Sequence, residues 1–168
     1  MSRPATDLLF TYGTLRRAAG NAAHRLLADR AEIVGPGFVR GRLYQATDFP
    51  VLVIDPQGVK VTGEVYRVSV PHAVFVRLDQ YEGFDPASPD TSEFRRDLVP
   101  VTLSDGRTVT AWAYVYQRPL FDLQPIPHGD YARYLRKTPD PPTTDADHLP
   151  AMPHPAERRL IFRHIDEP

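Results

Sequence analysis

The chain contains no cysteine. This removes a disulfide framework, a thiolate nucleophile and any sulfur-ligated metal, and leaves oxygen and nitrogen groups to carry whatever chemistry it performs. Excess charge of either sign is also missing: 20 Lys and Arg stand against 21 Asp and Glu, a formal net charge of -1. With the basic residues scattered, nothing draws the chain to phosphate polymers or anionic lipid, and nucleic acid is not an expected partner. No apolar run approaches the length that spans a bilayer. The first, Leu8-Leu9-Phe10, gives way at once to Thr11-Tyr12-Gly13-Thr14 and is too short for the core of a secretion signal, so a cytoplasmic protein without a membrane partner is the expectation. The six histidines form no His-x-x-x-His pair, and His72 and His128 read as surface or loop residues rather than zinc or iron ligands. A Gly-x-x-x-x-Gly-Lys phosphate loop is absent too.

What is present is ordinary globular composition, 42% hydrophobic and 24% charged over 168 residues, enough for one domain with a real core and too little for two. Leu8 to Tyr12 reads as a strand stopped by Gly13, followed by a short helix over 21–28. Glu32 to Tyr44, broken by Gly35, Gly37 and Gly41, then Val51 to Ile54 and Val59 to Val68, read as strands with bends. Pro71 suits the first turn of a helix running to Glu82, and Gly83 suits its left-handed end. Ser104-Asp105-Gly106 between Phe94–Leu103 and Arg107–Gln117 predicts a hairpin. A last helix is expected over 129–137, with Asp130 near its start and Arg136 and Lys137 near its end. Residues 138–168 hold seven of the 18 prolines and read as a proline-rich C-terminal extension to a domain of residues 1–137. Many short strands with a few helices and no βαβ alternation predict an α+β fold, a small mixed β-barrel with flanking helices.

Two places invite chemistry. On the helix from Pro71, Val74, Leu78 and Glu82 follow one another at i+4, so a carboxylate continues an apolar stripe. Partial burial and the negative end of the helix dipole would both raise its pKa. From position alone, Glu82 is equally compatible with a solvated last turn. At the other place, Phe10-Thr11-Tyr12-Gly13-Thr14-Leu15, a strand feeds a glycine turn able to point successive backbone N–H groups at an anion or carbonyl oxygen, although such a turn is more often only a strand end. Glu64, in a strand beside Tyr66, reads as a sheet-edge or hydrogen-bonding residue. Trp112, Tyr114 and Tyr116 share one face of a strand and read as core.

Phe10-Thr11-Tyr12-Gly13-Thr14-Leu15-Arg16 resembles the Tyr-Gly-Ser/Thr-Leu signature that opens the gamma-glutamylcyclotransferase-like family, and Leu78-Asp79-Gln80-Tyr81-Glu82-Gly83 resembles its second signature. Gly41-Arg42-Leu43-Tyr44, Phe49-Pro50-Val51-Leu52, Gly63-Glu64-Val65-Tyr66, Phe94-Arg95-Arg96, Ala113-Tyr114-Val115-Tyr116 and His128-Gly129-Asp130-Tyr131 follow in the family's order, a resemblance over residues 8–137 nearest the gamma-glutamylamine cyclotransferase branch. Thr14 stands where many members have Ser, and Phe94 where a Tyr is common. The resemblance implies a small-molecule enzyme that cyclises a gamma-glutamyl amide to 5-oxoproline, with Glu82 as acid and base. It also implies Tyr12, Gly13, Thr14, Leu15 and Tyr114 around the substrate, and neither metal nor cofactor. A non-catalytic binding domain on the same fold, or an enzyme that strips a gamma-glutamyl protecting group from a biosynthetic intermediate, are the other readings.

Overall fold

The computed structural model describes residues 6–13 and 25–137. Along the chain come β1 (Leu8–Thr11), α1 (Arg25–Ala28), β2 (Ala31–Gln45), β3 (Pro50–Ile54), β4 (Val59–Val68), α2 (Pro71–Glu82), β5 (Phe94–Leu103), β6 (Thr108–Tyr116), β7 (Gln124–Pro125) and α3 (Tyr131–Lys137). A 3-10 turn, Pro89–Thr91, lies between α2 and β5.

Five of the strands close on themselves in the order β2, β4, β1, β6, β5 and back to β2. The β1–β6 contact is parallel, with Leu9 opposite Trp112, and the other pairings in the ring are antiparallel, so the barrel is mixed as expected. Strand β2 makes closure possible by its length. Its first half pairs with β4 and β5, and its second half runs past the ring to carry β3 and β7. A register shift between Ile33 and Gly35 bends it. The three glycines thus interrupt the sequence pattern without ending the strand.

Alternation decides which side chains fill the barrel. Phe10, Val61, Val65, Val99, Val101, Ala111, Ala113 and Val115 point inward to one core. Their sequence neighbours Leu9, Tyr66 and Tyr114 point outward, with Phe94, into a second core with Val74, Phe75 and Leu78 of α2. Tyr114 is fully buried there, with Trp112 and Tyr116 packed against its margin. Strand β4 is paired on both sides, so Glu64 is not at a sheet edge. Its carboxylate instead accepts the Tyr66 hydroxyl at 2.6 Å.

The expected helix over 21–28 is described only as Arg25–Ala28, residues 21–24 lying outside the described part. Helix α3 opens at Tyr131 rather than 129 because Asp130 caps it, its Oδ1 accepting the Arg133 N–H at 3.2 Å. Residues 138–168 lie outside the described part.

Helix α2 spans Pro71–Glu82 as the sequence predicts, but it is entered through Val70 in the left-handed region, φ 49°. A β-branched side chain is disfavoured there, and Val70, 70% exposed, gains no packing in return. Val70→Asn, a residue tolerant of that conformation, is therefore expected to stabilise the fold by about 1 kcal/mol, read as a raised midpoint with unchanged slope in urea unfolding.

Candidate active site at the end of helix α2

Helix α2 lies along β6, and the contacts advance together. Phe75 meets Trp112, ring centroids 6.4 Å apart, and one turn later Asp79 Oδ1 accepts the Tyr114 hydroxyl at 2.7 Å. Glu82 follows three residues on, on the same side of the helix as Asp79, half-buried. The chain then turns sharply: Gly83 takes φ 69°, its N–H reaches the Gln80 carbonyl, and the Phe84 N–H donates to the Asp79 carbonyl at 2.8 Å. This paired closure satisfies the terminal carbonyls and needs a residue without a Cβ at its left-handed position. It fixes the backbone at Glu82 as the helix ends. The following loop is tied down by Gln117, whose side-chain amide donates to the Pro89 and Ser92 carbonyls, each at 2.6 Å.

Tyr12 comes from the end of β1. Its buried hydroxyl donates to the Tyr114 carbonyl at 2.5 Å, so one phenol joins the end of β1 to β6. Burial, and then the negative charge of Glu82, push its pKa well above the usual 10.0, against the smaller lowering effect of the Leu52 N–H. Tyr114 is raised likewise, by burial first, then by the charge of Asp79 and the hydrogen bond to it, then by Glu82, with Arg96 opposing. The sequence-predicted residues Glu82, Tyr12 and Tyr114 are therefore gathered in one place. Gly13 packs directly on Pro50 at the start of β3; a Cβ there would overlap the proline ring. Thr14 and Leu15 lie outside the described residues.

Two further residues belong to this place: Asp79 and Arg96. Arg96 Nε donates to Asp79 Oδ1 at 2.8 Å and Nη2 to Oδ2 at 3.2 Å. The side chains are 18% and 7% exposed respectively, so removing one partner alone costs about 3–5 kcal/mol. The guanidinium also lies 4.6 Å from the ring centroids of both Phe75 and Trp112. Both residues stand inside the family-like segments of the sequence, which carried two signals for them. Asp79 precedes Glu82 by three, and the Asp105-Gly106 hairpin register sets Arg96 opposite Tyr114.

Among the described residues no helix is long and apolar enough to cross a membrane. The sequence profile of the family described as gamma-glutamyl cyclotransferase, AIG2-like, matches residues 9–133, and the chain belongs to that family. It is 32% identical over 124 residues to the gamma-glutamylcyclotransferase family protein YtfP of Escherichia coli, covering 73% of this chain and 94% of that one. The solution structure of YtfP superposes with a TM-score of 0.52, covering 74% of this chain and 95% of YtfP. An AIG2-like protein of Mus musculus superposes with a TM-score of 0.56 at 25% identity, covering 74% of this chain and 87% of its own.

Because Tyr12 and Tyr114 ionise in the folded protein only well above 10.0, while in the unfolded chain they do so near 10, their contribution to stability is full below about pH 10 and is lost as pH rises beyond it. Tyr12→Phe is expected to cost about 1 kcal/mol at pH 7 through the lost hydrogen bond. It should also flatten the fall in stability above pH 10. Urea unfolding across pH 8 to 11 measures both.

Proposed function

We propose that this chain is a gamma-glutamyl amide cyclotransferase, cleaving its substrate by internal attack of the α-amine to give 5-oxoproline and a free amine. The observation that carries this reading is Glu82, a half-buried carboxylate held at a helix end beside two buried tyrosines, in a chain of this family. Glu82 takes a proton from the substrate's α-ammonium. The freed nitrogen attacks the γ-carbonyl carbon, forming the five-membered ring through a tetrahedral intermediate. Glu82 then returns the proton to the departing nitrogen as the old C–N bond breaks, and the second proton of the ring nitrogen passes to the released amine, which leaves as its ammonium ion. Nucleophile and electrophile belong to one molecule, so the main task of the protein is to hold a cyclising conformer. Tyr12, Gly13 and Tyr114 supply walls for it. The backbone N–H groups of Gly13, Thr14 and Leu15 hold the substrate's oxygens, where a donor aimed at developing charge contributes roughly 3 kcal/mol. Residues 1–137 form the catalytic unit and 138–168 its extension; the ligand is a small molecule.

The test is 5-oxoproline release from a panel of gamma-glutamyl amides, followed by mass spectrometry for wild type and Glu82→Gln. Release by wild type, lowered about 10²–10⁴-fold in the variant, is the expected result. Equal release would remove Glu82 from the mechanism. No release from any amide would favour a binding domain on this fold.

A further inference from the structure

Each phenol beside Glu82 has a single proton to donate, and both protons are already committed. Tyr12 gives its proton to the Tyr114 carbonyl, and Tyr114 gives its own to Asp79. A phenol oxygen that donates elsewhere is left with lone pairs only. For Tyr114 this direction is not optional. Asp79 receives the Arg96 guanidinium on both carboxylate oxygens, and a carboxylate in that fork accepts and does not donate. Arg96 in turn is held between Phe75 and Trp112, so the pair cannot swing away without unpacking the second core. The Tyr114 oxygen lies against Asp79, and Glu82 follows one turn later on the same side of α2, so the two are acceptors on one face, and paired acceptors suit a group that only donates.

We propose that Asp79, clamped by Arg96, is a positioning residue that fixes the polarity of Tyr114, so that the Tyr114 oxygen, together with Glu82, accepts the N–H groups of a primary ammonium on the ligand. This deepens the reading above, and rests on it in taking that ammonium to be the substrate's α-amine. It makes the free α-ammonium the feature by which the site selects its ligand. The acceptor is strengthened by its own bond to a charged carboxylate, because hydrogen bonds in a chain polarise one another. Tyr12, through the bond from its hydroxyl, holds the Tyr114 backbone in place and leaves the ring free to serve this role.

The experiment measures binding, so it does not depend on turnover. In the Glu82→Gln background, calorimetry gives the affinity for gamma-glutamyl methylamide and for its desamino counterpart, the monomethylamide of glutaric acid. With the charge of Glu82 removed, the preference of this parent for the ammonium ligand reads the Tyr114 oxygen, and it is expected to be about tenfold. Adding Tyr114→Phe, which leaves the Asp79–Arg96 pair intact, should abolish most of that preference while the desamino ligand binds within about twofold of the parent. Replacing the pair together, Asp79→Leu with Arg96→Met, avoids stranding a buried charge. It should erase the preference in the same way, because the Tyr114 proton is then free to turn toward the ligand. The proposal is overturned if the parent shows no preference, if the preference survives Tyr114→Phe, or if both ligands weaken in parallel, the pattern of a merely structural residue. Should wild type release no 5-oxoproline from any amide while the preference behaves as expected, ammonium recognition by Tyr114 stands and the cyclotransferase reading alone falls.

Discussion

The buried pair of Asp79 and Arg96 is the contact on which the rest of the site depends. It joins α2 to the β5–β6 hairpin, the two parts of the second core that no backbone hydrogen bond connects. Around it are stacked Phe75, Trp112 and Tyr114. A buried ion pair of this kind is a poor source of net stability, because desolvating both groups cancels much of their attraction. What it supplies is register. A helix resting on a sheet through apolar side chains alone can slide or rotate at small cost, whereas a two-pronged guanidinium–carboxylate contact has one good geometry. Since Asp79 and Glu82 share a helix face, fixing the first fixes where the second emerges.

The closure at Gly83 completes that arrangement from the other side. Helix ends usually fray, and a carboxylate on the last turn would normally move with them. Here the turn after Glu82 is bonded back to Asp79 and Gln80, and the loop beyond is fastened to the end of β6 by Gln117. The candidate base thus stands on a helix end that is fastened rather than frayed.

Much of this is legible in the residues. The Val74–Leu78 stripe, Pro71 and Gly83 mark α2 end to end, and the alternation from Ala111 to Tyr116 by itself separates barrel interior from helix-facing side. The part that is not legible lies in contacts between distant segments. Asp79 reads as a polar neighbour of Leu78 until Arg96 is known to lie opposite. Strand β7 and the turn at Pro89 are too short to leave a period. Val70 carries no sign of its conformation, since nothing in a valine asks for a positive φ. The glycines of β2 are legible as bends, and closing a small barrel needs such a long, bent strand, with glycine tolerated where it bends.

The parallel contact of β1 with β6 has a consequence for how the molecule comes into being. Leu9 and Trp112 are partners across roughly a hundred residues of chain, the kind of distant pairing that slows folding. During synthesis β1 leaves the ribosome first, and β4 can pair with one of its edges long before β6 exists to cover the other. That other edge of β1 stays open until β6 follows, and the barrel can shut only when the β5–β6 hairpin arrives. That hairpin also brings Arg96 and Tyr114, so the closed barrel and the candidate site are completed together.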